Sequence, residues 1–295
     1  MPIVGLGTWK SLPNVAGKSV EAALMAGYRH IDGAAIYANE KEIGQTYKKV
    51  FSGGAINRTD VFITSKLWNT EHAEADVLSA LKQTLSDLQL DYLDLYLMHW
   101  GVAVPKGFGK EPLDKNGYLL SAPVSIQETW QAMENLLQTG LVKAIGVSNF
   151  TAPMLVDLLT YAKIVPAVNQ IELHPYNAQQ KLIDFCHDKG IAMTGYSPLG
   201  SPGTKEPGEP ILLADEHVVS IAKAHGKSPA QVLLRWGVQR NTIMIPKSDH
   251  PDRIKSNLEI FDFELTADEM GQLSKLDRRF RYTNPQAWWG FPYFD

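Results

Sequence analysis

The chain has 295 residues, 44% hydrophobic and 20% charged, and its 28 Lys and Arg against 32 Asp and Glu leave a net charge of −4. That balance is the one expected of a soluble globular protein and argues against a dedicated nucleic-acid binder, which presents a basic face. The single cysteine, Cys186, rules out an internal disulfide and fits a reducing compartment.

The predicted elements alternate with little interruption. Pro2 to Thr8 is a short β run broken by Gly5 and Gly7, and Val15 to Ala26 has helical apolar spacing ended by Gly27. His30-Ile31-Asp32 is an apolar run closing on an acid. Tyr37 sits in the loop before a helix that opens at Asn39-Glu40 and runs to about Val50. Val61 to Lys66 is the third strand, Ala75 to Leu88 a helix, and Leu93 to His99 the fourth strand, nearly all apolar as a strand covered on both faces should be. Gly101 to Pro123 is a long irregular stretch, of the kind that is usually functional. There follow a helix from Ile126 to Thr139 stopped by Gly140, a strand from Lys143 to Ser148, a helix from Ala152 to Tyr161, a strand from Ala167 to Leu173, a helix from Gln179 to Lys189 and a strand from Ile191 to Tyr196. Ser201 to Pro210 reads as a second long loop, and Asp215 to His225 and Pro229 to Val238 as helices. Thr242 to Lys247 is the eighth strand, Pro251 to Leu258 a short extra helix with proline in its first turn, and Thr266 to about Leu276 a last helix with Glu269 three residues after its cap. The tail from Phe280 to Asp295 is aromatic and reads as irregular.

Eight strands alternating with helices predict a single (β/α)8 TIM barrel spanning residues 1–295, with long specificity loops at its C-terminal face and a C-terminal loop over 277–295. The rival, an open doubly wound sheet, expects a third glycine after Gly5-Leu6-Gly7, and Thr8-Trp9-Lys10 follows instead. Gly17-Lys18-Ser19 and Gly226-Lys227-Ser228 lack the leading glycine of a phosphate-binding loop. The eight histidines show no metal-ligand spacing, so no metal is expected. No secretion signal is seen and no apolar stretch approaches the roughly 20 residues of a membrane span, so a cytoplasmic location with no membrane or nucleic-acid partner is expected. Asn57-Arg58-Thr59 and Asn149-Phe150-Thr151 match the glycosylation pattern by chance on that reading. Cys186 falls in a helical pattern that suits a small core residue.

Four ionisable groups fall at successive strand exits: Asp32, then Tyr37, Lys66 and His99. α/β folds place their active sites at that end of the sheet. A phenol is a poor acid at neutral pH. An adjacent ammonium favours phenolate and is expected to lower its pKa, with Asp32 holding Lys66 in place and charged. His99 can hydrogen-bond a substrate oxygen. Such machinery protonates an oxygen as negative charge develops on it, as happens when hydride adds to a carbonyl, which calls for a hydride donor.

Gly5-Leu6-Gly7-Thr8-Trp9, His30-Ile31-Asp32 with Tyr37, Ser65-Lys66-Leu67-Trp68, Leu95 to Trp100, Gly146 to Phe150, Asn169 to Tyr176, Tyr196 to Gly200 and Ile245-Pro246-Lys247-Ser248 together resemble the aldo-keto reductases, and most of all their aldose and aldehyde reductase group. The resemblance runs from Pro2 to about Leu276. It implies that Asp32, Tyr37, Lys66 and His99 form a catalytic tetrad with Tyr37 as proton donor, acting in NADPH-dependent reduction of aldehydes. It further implies that Ser148, Asn149 and Gln170 hold the nicotinamide carboxamide and that Tyr196 stacks on its ring. Ser197, Leu199 and Ser201 would line the pyrophosphate path, with Lys247, Ser248, Arg253 and Asn257 at the adenosine end. Barrels often bind phosphate near the last two strands at a short helix N-terminus, and Lys247 with Arg253 suits a 2′-phosphate, so NADPH/NADP+ is the expected cofactor. Asp249 would repel that phosphate, and Ser256 stands where relatives often carry an acid facing the adenine. Trp9, Ile36, Trp68 and Trp100 would wall the carbonyl pocket beside His99. Gly101 replaces a usual proline and Gly33 a usual larger residue. The hairpin that plugs the lower end of the barrel in relatives is not seen before Pro2, so that end is expected to be trimmed or open. The expected assembly is a monomer acting on a small carbonyl compound.

Taken singly, each residue has a plainer reading: Asp32 a structural cap, Lys66 a solvated charge, His99 a satisfied core histidine, Tyr37 packing, and Lys247 with Arg253 a surface pair. Their joint placement favours the site. The loop from Gly101 to Pro123 and the tail residues Trp288, Trp289 and Phe291 are expected to set specificity, with simple pinning of the tail an equal alternative for the two tryptophans. Two other functions stay open: a non-catalytic cofactor-binding or structural protein on this fold, and a barrel isomerase or hydrolase using Asp32 and His99 without nicotinamide.

Overall fold

A computed structural model describes residues 1–203 and 206–294. Eight parallel strands pair in sequence order: β1 (Leu6–Gly7), β2 (His30–Asp32), β3 (Phe62–Leu67), β4 (Leu95–Met98), β5 (Ile145–Ser148), β6 (Val168–Glu172), β7 (Ala192–Tyr196) and β8 (Ile243–Met244). A parallel bridge from Val4 to Met244 joins the last strand to the first, with Gly5 N–H donating to Met244 O at 2.9 Å and Gly7 N–H to Pro246 O at 3.0 Å. The sheet therefore closes into the expected barrel, and the open-sheet alternative falls.

The helices are α1 (Ala16–Ala26), α2 (Glu40–Ser52), α3 (Glu74–Leu88), α4 (Ile126–Leu136), α5 (Ala152–Tyr161), α6 (Gln180–Asp188), α7 (Glu216–His225), α8 (Pro229–Gln239), α9 (Pro251–Leu258), α10 (Ala267–Ser274) and α11 (Pro285–Trp289). Most ends lie within two residues of the expected ones, because the stop signals act as read. Gly27 takes φ 106° beyond α1, a conformation costly for any residue with a Cβ. The Thr266–Glu269 capping box starts α10. The tail departs from its irregular reading by forming α11, capped by Asn284 with Pro285 in its first turn and ended by Gly290 at φ 74°. The loop read over 201–210 holds Thr204 and Lys205, and the tail ends on Asp295; all three lie outside the described residues.

Strand alternation decides what faces the barrel axis. Phe62, Leu95, Leu97, Val168, Ala144 and Ala192 pack together as an apolar plug inside the barrel. Two to four residues beyond Phe62, Leu97 and Val168 on the same faces come Lys66, His99 and Gln170, and Asp32 follows two residues after His30, whose ring packs edge-on against Phe62, so the C-terminal end of the interior is polar. The opposite faces, with Ile63, Leu67, Tyr96 and Met98, pack against the helices in the main core.

Candidate active site

β2 and β3 run in register with Asp32 beside Thr64, which brings Lys66 one step further along the wall to the same rim. Lys66 is fully buried and Asp32 nearly so. An isolated charge there would be strongly disfavoured, and each side chain compensates the other. Lys66 Nζ donates to Asp32 Oδ1 at 2.6 Å, to the Gly33 carbonyl at 2.8 Å and to the Tyr37 hydroxyl at 3.4 Å. A 3-10 turn, Ala35–Tyr37, swings the phenol back over β2 to make the third contact possible. His99 lies one residue past β4, its ring 5.8 Å from that of Tyr37 and nearly perpendicular to it. The four residues expected as a tetrad thus gather at one rim, with Lys66 bridging Asp32 and the Tyr37 hydroxyl and the His99 ring beside the phenol.

The electrostatics correct one expectation. The Tyr37 phenol is held well above its ordinary pKa, first by burial and second by the Asp32 charge, rather than lowered by the ammonium. The Lys66 charge is largely compensated by Asp32 at contact distance, so desolvation decides the sign. Burial also lowers the Lys66 pKa, against the opposing pull of Asp32, and pushes His99 well down. At neutral pH the centre offers a protonated phenol and a neutral imidazole. His99 Nδ1 has no protein partner among the described residues.

A ring of amides and hydroxyls continues the rim. Gln170 Nε2 donates to Asp32 Oδ2 at 2.7 Å, fixing the second carboxylate oxygen from the far side of the barrel. Ser148 Oγ donates to Gln170 O at 2.9 Å. Asn149, at φ 64°, donates to His99 O at 3.0 Å and accepts from Tyr196 OH at 2.7 Å, tying the ends of β4, β5 and β7. Ser197 and Ser201 also take positive φ, and their hydroxyls pair at 2.9 Å. Leu199, between them, packs against the main core.

Beyond β8, Lys247 pairs with Asp249, whose other oxygen accepts from Ser11 Oγ at 3.0 Å. Ser248 and Asn257 are buried, and Arg253 is exposed one turn before Asn257 on α9. The four residues read for the adenosine end therefore lie at the β8 exit and along α9, with Asn257 in its last turn and Asp249 already bound to the lysine.

The aromatic residues separate. Trp68 and Trp100 are buried in a second cluster with Val104, Leu119 and Trp289, against which Ile36, Phe291 and Tyr293 pack. Trp9 stays outside it, half exposed at the β1 exit with Lys10 Nζ over its ring at 4.5 Å. Trp289 is fully buried and donates to Glu111 Oε1 at 2.9 Å, whereas Trp288 is 39% exposed, so the two tail tryptophans do different things. Gly101 N–H donates to Tyr293 OH at 2.8 Å, a bond that a proline there could not make, and a Cβ at Gly101 would collide with Met154 Cε. The sequence reading missed Glu172 and Tyr293. Glu172 lies two residues beyond Gln170 on a strand, hence on the same inward face, and that alternation was the available signal.

The sequence model of the aldo/keto reductase family matches residues 4–278. Aldo-keto reductase family 1 member A1 of Mus musculus is 50% identical over 288 residues, 97% of this chain and 89% of the relative. Its counterpart in Danio rerio is 48% identical over the same shares. Among solved structures, an aldose reductase from Giardia lamblia superposes with a TM-score of 0.95 at 43% identity, covering 100% of this chain and 98% of the other, and one from Schistosoma japonicum with 0.93 at 40%, covering 100% and 96%. No helix among the described residues is long and apolar enough to cross a membrane, and no group of His, Cys, Asp and Glu there suits a metal ion. Matched along almost its whole length by sequence and by backbone, the chain belongs to the aldo/keto reductase family and is an oxidoreductase.

Proposed function

We propose that the protein reduces aldehydes to alcohols with NADPH as hydride donor and Tyr37 as proton donor, on aldoses, aliphatic and aromatic aldehydes and some ketones. The observation that carries this reading is the chain of contacts from Asp32 through Lys66 to the Tyr37 hydroxyl, at 2.6 and 3.4 Å. Relatives named aldo-keto reductase and neighbours named aldose reductase support the same reaction class.

The nicotinamide, when bound, supplies the hydride. The substrate carbonyl oxygen takes its place against Tyr37 OH and His99. Tyr37 gives up its proton as negative charge develops on that oxygen, and Lys66, 3.4 Å away, stabilises the phenolate left behind. The Asp32 carboxylate keeps Lys66 aimed and compensated. Trp68 and Trp100 exclude water beside His99. Ser148, Asn149 and Gln170 are read as holding the carboxamide and Tyr196 as the stacking face. Gln170 serves a second partner, since its amide also binds Asp32. Ser197, Leu199 and Ser201 are assigned to the pyrophosphate path. Lys247, Ser248, Arg253 and Asn257 are assigned to the adenosine end, where the exposed Arg253 guanidinium supports recognition of a 2′-phosphate. A monomeric enzyme of the cytoplasm acting on a small carbonyl compound completes the proposal.

The test is a steady-state panel of glyceraldehyde, xylose, glucuronate and aromatic aldehydes with NADPH and with NADH. The proposal expects NADPH consumption and a higher kcat/KM with NADPH. Tight NADPH binding without turnover would leave the non-catalytic reading in place. Activity independent of nicotinamide would favour the isomerase or hydrolase reading.

A further inference from the structure

Glu172 closes β6 and its side chain is fully buried at the rim of the barrel. A carboxyl group in that position needs every acceptor satisfied. Its partners come from the far end of the chain. Oε1 accepts from Tyr282 N–H at 2.7 Å and Oε2 from Thr283 N–H at 3.0 Å. His174 Nε2 lies 2.8 Å from Oε1, and since that oxygen already accepts from an amide, the imidazole nitrogen is the donor. The ring of Tyr282 packs edge-on against His174 at 5.1 Å, and its hydroxyl reaches Pro210 O at 2.9 Å.

This clasp holds the tail at its root. Directly after it the chain turns into α11, which delivers Trp289 to Trp100 at a ring separation of 4.9 Å, and then Tyr293 to Trp100 at 5.2 Å. On its other side, Glu172 is in register with Tyr196 of β7. One carboxyl group therefore stands between the tail that roofs the aromatic pocket and the strand end that carries Tyr196. Two adjacent backbone amides aimed at the two oxygens of one carboxylate fix both the position and the direction of the departing segment.

We propose that Glu172 is a positioning residue that fixes the C-terminal strap over the carbonyl pocket and so determines which bulky carbonyl substrates are held. The inference rests on the reading of the site as a carbonyl reductase. Glu172 acts through Tyr282, Thr283 and Trp289, and touches neither the substrate nor the tetrad. A small aldehyde is held by the tetrad and the strand-end tryptophans, whereas a bulky aromatic aldehyde also needs the wall made by Trp289 and Tyr293.

The test compares Glu172→Gln, Thr283→Pro and the double variant in the full chain. Glu172→Gln keeps the shape but turns an amide donor toward an amide N–H, and Thr283→Pro removes one of the two backbone donors while leaving the acid. The expected result is a loss of about ten- to a hundredfold in kcat/KM for bulky aromatic aldehydes, carried by KM, which is the factor a hydrogen bond to a charged group commands. Glyceraldehyde should change by less than about threefold, a modest effect on this scale. Proteolysis within 277–294 should accelerate, and the double variant should be no worse than the poorer single one. Equal losses on small and bulky substrates with an unchanged proteolysis rate, additive effects of the two substitutions, or no change in either readout would each overturn the proposal. If Glu172→Gln does not fold, Thr283→Pro alone carries the test through the same substrate contrast. Wild-type turnover separates the two ideas: an inactive wild type removes the reductase reading, while the proteolysis contrast still reports on the clasp.

Discussion

Gln170 donates its side-chain amide to Asp32 at 2.7 Å across the barrel, joining residues 138 positions apart in the chain. The same Asp32 holds Lys66 with its other oxygen. The residue expected at the cofactor carboxamide and the residue expected at the acid end of the proton-donating chain are therefore one hydrogen-bonded unit. Gln170→Leu should leave a buried carboxylate oxygen unpartnered and cost about 1–3 kcal/mol of stability, read as a lower midpoint in urea. An unchanged midpoint would mean that the bond contributes little.

Lys66→Met should be more damaging. It leaves Asp32 buried and uncompensated, with an expected cost of about 3–5 kcal/mol. The double variant Asp32→Asn with Lys66→Met should recover part of that loss while remaining inactive. Thermal or chemical denaturation of the three proteins checks the coupling. Additive losses would argue against the two side chains acting as a pair.

On the proposed mechanism, the raised Tyr37 pKa should set the pH dependence of reduction. A group that donates a proton is competent while protonated, so a raised value extends activity upward. kcat/KM for aldehyde reduction should stay level from neutrality to about pH 10, the ordinary value of a phenol. A fall beginning near pH 7 to 8 would mean that Lys66 lowers the phenol after all, as the sequence alone suggested.

Stability should fall on acidification for a separate reason. Burial lowers His72 from 6.5 to about 3 and His30 from 6.5 to about 4. A depressed histidine binds its proton more readily once unfolded, so its contribution is intact above pH 6.5 and is lost as pH falls toward the folded value. The melting temperature of the wild type should drop through this range, and His72→Gln should flatten the slope. Equal slopes for the two proteins would remove His72 from the explanation.

Much of this architecture was legible beforehand because local signals and tertiary demands agree. Gly27, Gly140, the Thr266–Glu269 box and the apolar strand runs each mean the same thing in isolation and in the folded chain. Asp32, Lys66 and His99 stand out as candidates in the sequence because ionisable groups are rare at the ends of apolar strands. Helix α11 was overlooked although Asn284, Pro285 and Gly290 mark its ends, since its aromatic content drew it toward an irregular reading. Glu172 was hidden for a different reason: its value comes from two backbone amides 110 residues or more away, and amides carry no sequence identity. The sign of the Tyr37 shift was misread because neighbouring charges can be listed from a sequence, whereas the depth of burial cannot.

The central claim is that one phenolic hydroxyl, aimed by Lys66, delivers the proton. The direct measurement is NADPH-dependent reduction of an aromatic aldehyde by wild type and Tyr37→Phe, with NADPH affinity followed in parallel by tryptophan fluorescence. The account predicts a fall in kcat of about a thousandfold or more, within the range of lost general-acid catalysis, with cofactor affinity nearly unchanged. A Tyr37→Phe enzyme that keeps turning over at a rate near wild type would contradict it.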